Sequence, residues 1–230
     1  MGIESLKLVS LNVKKDNLYL VSKEKCRFLL STRNTFNERN RNTVEKSMGA
    51  EIIMSQGRSN SRGVAVLIKK GVDYTPHSKI IAPLGRYIIL KAEIKDKIYV
   101  LINIYAPNKD KDSFKFFAEL LAKLKNETLD EEENIIVGGD SNCPLNAILD
   151  KKGGILTPRK SVVSIINSMQ GDLDIRWLTT VFPRLSSARY DSLPHVSIRR
   201  ACKHDASNLK DYQNLLQHLK GVKSLWYTYR

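Results

Sequence analysis

Apolar and polar positions along the chain follow a strand period in some stretches and a helix period in others, and each change marks an element. Residues 7–13 (K-L-V-S-L-N-V) carry apolar side chains on both faces, which predicts a strand buried on both sides with Asn12 at its carboxyl end. The run G-V-A-V-L-I from Gly63 to Ile68, stopped by Lys69, Lys70 and Gly71, predicts a second core strand. Arg86–Ile94 and Lys97–Tyr105 are rich in Ile, Tyr and Val and are separated only by Lys95 and Asp96, the spacing of an antiparallel hairpin. Phe116, Phe117, Leu120, Leu121 and Leu124 recur at helical spacing, and Asp112 or Ser113 is the expected cap. Asn134–Val137 is another apolar strand, closed by Gly138, Gly139 and Asp140. Val162, Ile165, Ile166 and Met169 mark a further helix that should stop near Gly171.

Two regions lack such order. Residues 22–47 are rich in Arg and Asn, hold neither period, and are expected to form a loop or a distorted helix. Beyond Asp174 the pattern decays into scattered Ser, Arg and Pro with no convincing strand. Only the stripe Leu209, Tyr212, Leu215, Leu216 and Leu219 before Gly221 predicts an amphipathic helix. Hairpins mixed with helix-connected strands imply an α/β or α+β layered protein, with two sheets packed as a sandwich and flanked by helices.

Charge changes this picture less than its size suggests. The formal net charge is +14, which invites a nucleic-acid partner because clustered Lys and Arg release counterions from phosphates. Yet residues 22–46 hold seven basic and three acidic residues, and residues 176–230 hold ten and three. Most of the excess therefore lies in the two unpatterned regions, and net charge alone does not select the partner. Cys26, Cys143 and Cys202 are odd in number and far apart, which argues for free thiols over a disulfide framework or a closed zinc site. Absence of a long uninterrupted apolar run argues against a membrane span, and Glu4 and Lys7 precede any apolar run, unlike a secretory leader. An intracellular protein, nuclear or cytoplasmic, is the expectation.

The chemistry-bearing residues stand at strand ends, where a rigid sheet can hold a side chain while the next loop exposes it. There are three such places: Asn12, the Y-A-P-N run from Tyr105 to Asn108, and the G-G-D-S-N run from Gly138 to Asn142. Asp can orient or deprotonate a water, and Asn can hydrogen-bond a phosphoryl oxygen without adding negative charge. Singly, each has a plain structural reading; Asp140 with Asn142, for example, could form an Asx turn after Gly-Gly.

In combination and in this order they are far more specific. Strand-plus-Asn, G-V-A-V-L-I, L-I-N-I-Y-A-P-N, helix, and I-I-V-G-G-D-S-N-C-P-L-N resemble the endonuclease domain of LINE-type (non-LTR) retrotransposons. That domain belongs to the endonuclease/exonuclease/phosphatase superfamily and is similar to apurinic/apyrimidinic (AP) endonucleases and DNase I. The resemblance covers about Met48 to Asp174 and the first strand. It implies a four-layered α/β sandwich and magnesium-dependent hydrolysis of DNA phosphodiester bonds at the sheet tops. It further implies that Asp140 is the general base on the attacking water, Asn142 stabilises the transition state, and Tyr105 contacts the phosphate. Asn12 would assist the metal, and Asn108 would support its loop. It also divides the chain into a partial domain, 1–175, and an off-family basic tail, 176–230.

Two parts of the family pattern are missing. The metal-ligating Glu of a Q-E-T-H run has no counterpart; F-L-L-S-T-R-N-T-F, Phe28 to Phe36, stands in its place. A-CAA-GAA-ACA-CA encodes Q-E-T-H in one frame and Thr-Arg-Asn-Thr, the peptide Thr32 to Thr35, in another. Residues from before Thr32 to about Ser47 are therefore expected to be read out of the family's frame, which the source transcript would decide. The closing Ser-Asp-His is also absent: His204 and Asp205 come in reversed order, and Arg189, Tyr190 and Asp191 have the wrong surroundings. Loss of the carboxylate ligand should leave magnesium weakly held, so little or no nuclease activity is expected. A non-catalytic nucleic-acid-binding remnant and a phosphatase of the same superfamily are the alternatives.

Overall fold

The computed structural model describes residues 6–12, 28–32, 38–57, 63–127, 133–143, 159–177, 195–199 and 226–229. Among these, two sheets face one another. The first has the order β11-β1-β2-β4-β3, built from Trp226–Tyr229, Leu6–Asn12, Phe28–Thr32, Gly63–Lys69 and Ala50–Gln56 respectively. The second has the order β5-β6-β7-β8-β10-β9, from Thr75–Ile81, Tyr87–Ile94, Lys97–Tyr105, Asn134–Asp140, His195–Arg199 and Arg176–Trp177. Three helices accompany them: α1, Glu38–Met48; α2, Asp110–Asn126; and α3, Lys160–Asp172.

The strand period sorts the side chains into layers. On β6, Ile88, Leu90, Ala92 and Ile94 join Leu101 of β7, Phe28 and Leu30 of β2, and Val64, Val66 and Ile68 of β4 between the sheets. Alternate residues of the second sheet, Ile89, Val100, Ile102, Ile104, Ile135 and Val137, face the other way. They pack on Phe117, Leu120 and Leu124 of α2 and on Val162, Ile166 and Met169 of α3. Leu29, Ile52, Ala65 and Leu67 are buried as well and lie outside the inter-sheet cluster, so the outer face of the first sheet is covered, as a four-layered sandwich requires. Each fully buried Leu or Ile contributes roughly 1.5–3 kcal/mol, so these layers supply most of the drive to fold.

The hairpin at Lys95 and Asp96 forms as its spacing predicts. Ile94 pairs with Lys97, and both turn residues adopt positive φ, 52° and 58°, as a two-residue turn matched to strand twist demands. Helix α3 ends at Asp172, beside the expected Gly171. Helix α2 begins earlier than expected. Lys109 is its N-cap without a side-chain hydrogen bond, while Asp110 and Asp112 lie in the first turn, where the helix dipole favours carboxylates.

The unpatterned stretch 22–47 needs correction. It contains β2, whose five residues are all buried, and most of α1. A strand of five residues buried on both faces shows no alternation, so its period carries no signal. Helix α1 has few apolar positions because it guards an edge. Glu45 accepts the Ile52 N–H at 3.1 Å and Arg41 donates to the Ile52 carbonyl at 3.0 Å, satisfying groups that β3, at the sheet edge, leaves outside the ladder. Strand β5 was equally unreadable: it is an exposed edge with a bulge between Pro76 and Ser78, and His77 is a surface group there. Beyond Asp174 the expectation of no strand is also corrected, since β9 and β10 extend the second sheet and β11 pairs with β1. The tail helix expected over 209–219, with His204, Asp205 and Arg189–Asp191, lies outside the described residues.

Candidate active site

Four strands end together. Asn12 pairs with Thr32 at the carboxyl ends of parallel β1 and β2, and Tyr105 pairs with Asp140 at the carboxyl ends of parallel β7 and β8. The two sheets are tied at that level by Asn103 of β7, whose amide Nδ2 donates to the Ser31 carbonyl of β2 and the Ala65 carbonyl of β4, both at 2.8 Å. Carboxyl ends of strands are where layered α/β folds place ligands, because the chain leaves the sheet there and its loops diverge.

Asn103 is a residue that pattern reading missed. It is fully buried within L-I-N-I-Y, where an apolar residue would satisfy the strand period. Its only sequence signal is that polar break inside an apolar strand. We expect Asn103→Leu to cost about 2 kcal/mol, because two buried carbonyls lose a donor. Thermal unfolding measures this, and an unchanged midpoint would mean the cross-sheet bonds contribute nothing net.

Asp140 is fully buried and Tyr105 nearly so. Being register partners they project to the same face of the sheet, and Tyr105 lies in the cluster between the two sheets. Asn142 sits in the left-handed region at φ 48°, a conformation that Asn tolerates better than most residues. Its backbone N–H donates to Asp140 Oδ1 at 3.0 Å, and its Nδ2 donates to the Ala106 carbonyl at 2.6 Å. Ala106 in turn donates its N–H to the Asp140 carbonyl at 2.9 Å. The Y-A-P-N and G-G-D-S-N runs are thus laced together, and Asp140, Asn142 and Tyr105 meet at one rim. The Asx turn read as the plain alternative is present and is the device that brings Asn142 to Asp140.

Asn12 reaches the same end of the first sheet by its backbone pairing; its side chain lies outside the described residues. Asn108 is exposed in the loop ahead of α2. The pairing of His195 with Gly139 brings the backbone of β10 to this end as well.

Two arginines not singled out in the sequence complete the surroundings. The Arg86 guanidinium stands 5.6 Å from the centre of the Tyr105 ring and donates to the Tyr105 carbonyl at 3.2 Å, while the Tyr105 N–H donates to the Arg86 carbonyl at 2.7 Å. Positive charge so close to the tyrosine favours an anion at this rim. Arg159, just ahead of α3, donates to the Asn142 carbonyl and to Asp110 Oδ1. Neither could be told from other surface basic residues without the fold. The tyrosine whose hydroxyl is pushed up to about 12, by burial and then by its hydrogen bond to Glu51, is Tyr74. It precedes β5, whose Thr75 pairs with Glu93 near the hairpin turn, at the far end of the sheet from Tyr105.

The donor set does not complete a magnesium site. Among the described residues, Asp140 is the one carboxylate set beside Asn142 and Tyr105, and no three of His, Cys, Asp and Glu come together. Thr32 Oγ1 and Asn103 Oδ1 are buried with no hydrogen-bond partner among the described residues, and they are neutral oxygens. Hard divalent cations favour carboxylates, so these residues alone would hold magnesium weakly. Also among the described residues, no helix is long and apolar enough to cross a membrane.

No known family profile matches the chain. A stretch of 63 residues, 27% of the chain, is 38% identical to a transposon TX1 uncharacterized 149 kDa protein of Xenopus laevis, and the match spans 5% of that protein's length. An AP endonuclease from Archaeoglobus fulgidus superimposes with a TM-score of 0.59 at 15% identity, covering 84% of this chain and 98% of that one. The endonuclease domain of TRAS1, a telomere-specific non-LTR retrotransposon, superimposes with a TM-score of 0.56 at 13% identity, covering 91% and 87%. The two-sheet sandwich with its converging strand ends is therefore the DNase I-like fold that AP endonucleases and retrotransposon endonuclease domains share.

Proposed function

We propose that the rim holding Asp140, Asn142 and Tyr105 is the phosphodiester-cleaving site of a retrotransposon-type endonuclease acting on DNA, retained in a copy with little or no turnover. The observation that supports it most is their convergence at the carboxyl ends of adjacent parallel strands, with Asn142 bonded to Asp140. In this reading Asp140 takes the proton of the attacking water, and Asn142 donates to the phosphoryl oxygen as charge builds on it. Tyr105, with Arg86 against its ring, contacts the phosphate. Asn12 would assist in holding a magnesium ion if one bound, and Asn108 supports its loop from the exposed side. The low turnover follows from the single carboxylate among the described site residues: without a second, a magnesium ion would be weakly held. Residues 1–175 are the partial endonuclease domain, its family-like wording running from about Met48 to Asp174 and over the first strand, and 176–230 are the off-family tail. The boundary at 175 marks where that wording ends, and strands on its far side pair in both sheets.

A nicking assay on supercoiled plasmid with magnesium tests this. Wild type and Asp140→Ala are expected to be indistinguishable within the assay's background. Cutting by wild type but not by Asp140→Ala would overturn the low turnover while supporting the assignment of Asp140. A second reading is a remnant that holds DNA through its Lys and Arg residues without cutting it. It requires affinity that falls steeply with salt and does not depend on metal.

A further inference from the structure

We propose that Arg159 is a positioning residue for Asn142. Its guanidinium donates through Nη1 to the Asn142 carbonyl and through Nε to Asp110 Oδ1 at 2.6 Å. Those two partners belong to different strand-top loops. Asn142 closes the G-G-D-S-N run after β8, and Asp110 is the first residue of α2, two positions past the Y-A-P-N run that follows β7. One side chain, anchored ahead of α3, therefore holds both loops at once.

The geometry explains why an arginine is needed. Asn142 lies in the left-handed region, which a non-glycine residue keeps only when its surroundings determine it. Its N–H is held by Asp140 and its side-chain amide by Ala106, leaving its carbonyl as the third handle, and Arg159 takes it. A guanidinium offers donors in a fixed planar fork and can serve a carbonyl and a carboxylate together. A lysine ammonium has no such fork and would be drawn to Asp110 or to Asn142. The Arg159 side chain is only 13% exposed, whereas Asp110 is 59% exposed. The bond to the Asn142 carbonyl is therefore on the more sheltered side of the guanidinium, and Asp110 orients it from the solvent side.

This rests on the nuclease reading only for what Asn142 does; the positioning itself is separable and is tested without catalysis. Nuclear magnetic resonance of the nitrogen-15-labelled full chain reads the Asn142 backbone and side-chain amides directly. In Arg159→Lys and Arg159→Met both signals should move, and the Asn142 N–H should exchange with solvent about tenfold faster or more, with Met the larger effect. Asp110→Asn should give the same change in smaller measure. Leu90 and Val100, deep in the second sheet, should keep wild-type exchange. Unmoved Asn142 signals in both Arg159 variants would overturn the proposal. So would a uniform rise in exchange across both sheets in Arg159→Lys, which would make Arg159 a general stabiliser. If Arg159→Met does not fold, Arg159→Lys and Asp110→Asn carry the test. A chain that never cuts DNA leaves these outcomes unchanged, so failure of the nuclease reading and failure of this one are distinguishable.

Discussion

Gly139→Ala should lower stability by about 3 kcal/mol or more, a large fraction of the net stability of a domain. Gly139 has φ +124°, a conformation that L residues rarely adopt. A Cβ there would also stand 2.1 Å from the Ile104 carbonyl oxygen, 2.8 Å from the Ile104 nitrogen and 2.9 Å from Asn103 Oδ1. Two of these obstacles are backbone of β7, the strand paired with β8, and cannot swing aside. Relief would come only by parting β7 from β8, and that would separate Tyr105 from Asp140. With a urea slope of about 2 kcal/mol per molar, the unfolding midpoint should fall by about 1.5 M. Gly171→Ala is the control: a Cβ there has nothing within 4 Å and sits in helix α3, so it should be neutral or stabilise by up to about 1 kcal/mol. Equal midpoints for wild type and Gly139→Ala would mean that β8 does not approach β7 as described.

Replacing Thr32, Arg33, Asn34 and Thr35 by the family's run, as Thr32→Gln, Arg33→Glu, Asn34→Thr and Thr35→His together, should create a usable metal site. Thr32 ends β2 opposite Asn12, at the level where Asn103 ties the sheets, so the replaced run begins at the strand end that shares this level with the end of β7 and β8. A second carboxylate gives a hard cation the charge that Asp140 alone does not provide. Affinity for Mn²⁺, followed by electron paramagnetic resonance, should rise at least about tenfold, or about 1.4 kcal/mol. Magnesium-dependent nicking should emerge from background but stay orders of magnitude below a complete enzyme, because no Ser-Asp-His run closes the sequence. If the replacement folds and gains no affinity for the ion, the frame-shift account of the stretch from before Thr32 to about Ser47 loses its functional support. Reading the source transcript in the neighbouring frame tests that account independently.

Elements whose signal is local can be read from the sequence, and those defined by distant partners cannot. The hairpin at Lys95 and Asp96 and helices α2 and α3 were legible because their signals lie within one element: a two-residue gap between apolar runs, or a stripe at helical spacing. Asp140, Asn142 and Tyr105 could be nominated as candidates because they stand at or just past the ends of apolar strands in a specific wording. Strand β2 was not legible, since burial on both faces erases alternation. Helix α1 was not, since it serves the edge of β3 with Arg41 and Glu45 and presents little apolar surface. Strands β10 and β11 are short and are defined by partners far away in the chain, β8 and β1.

By itself, then, the order of residues determined the layered class, strands β1, β4, β6, β7 and β8 with helices α2 and α3, and the strand ends that carry polar chemistry. These follow from side-chain period and from turn residues, which act over a few positions. Only the tertiary structure decided that Asn103 would bridge the sheets, that Arg86 would stand over Tyr105, and that Arg159 would reach across to Asn142 and Asp110. Such contacts join residues separated by as many as 72 positions, as Asn103 and Ser31 are. A polar side chain in a sequence does not announce its distant partner; packing of the layers brings the two together, and burial then makes the bond costly to lose.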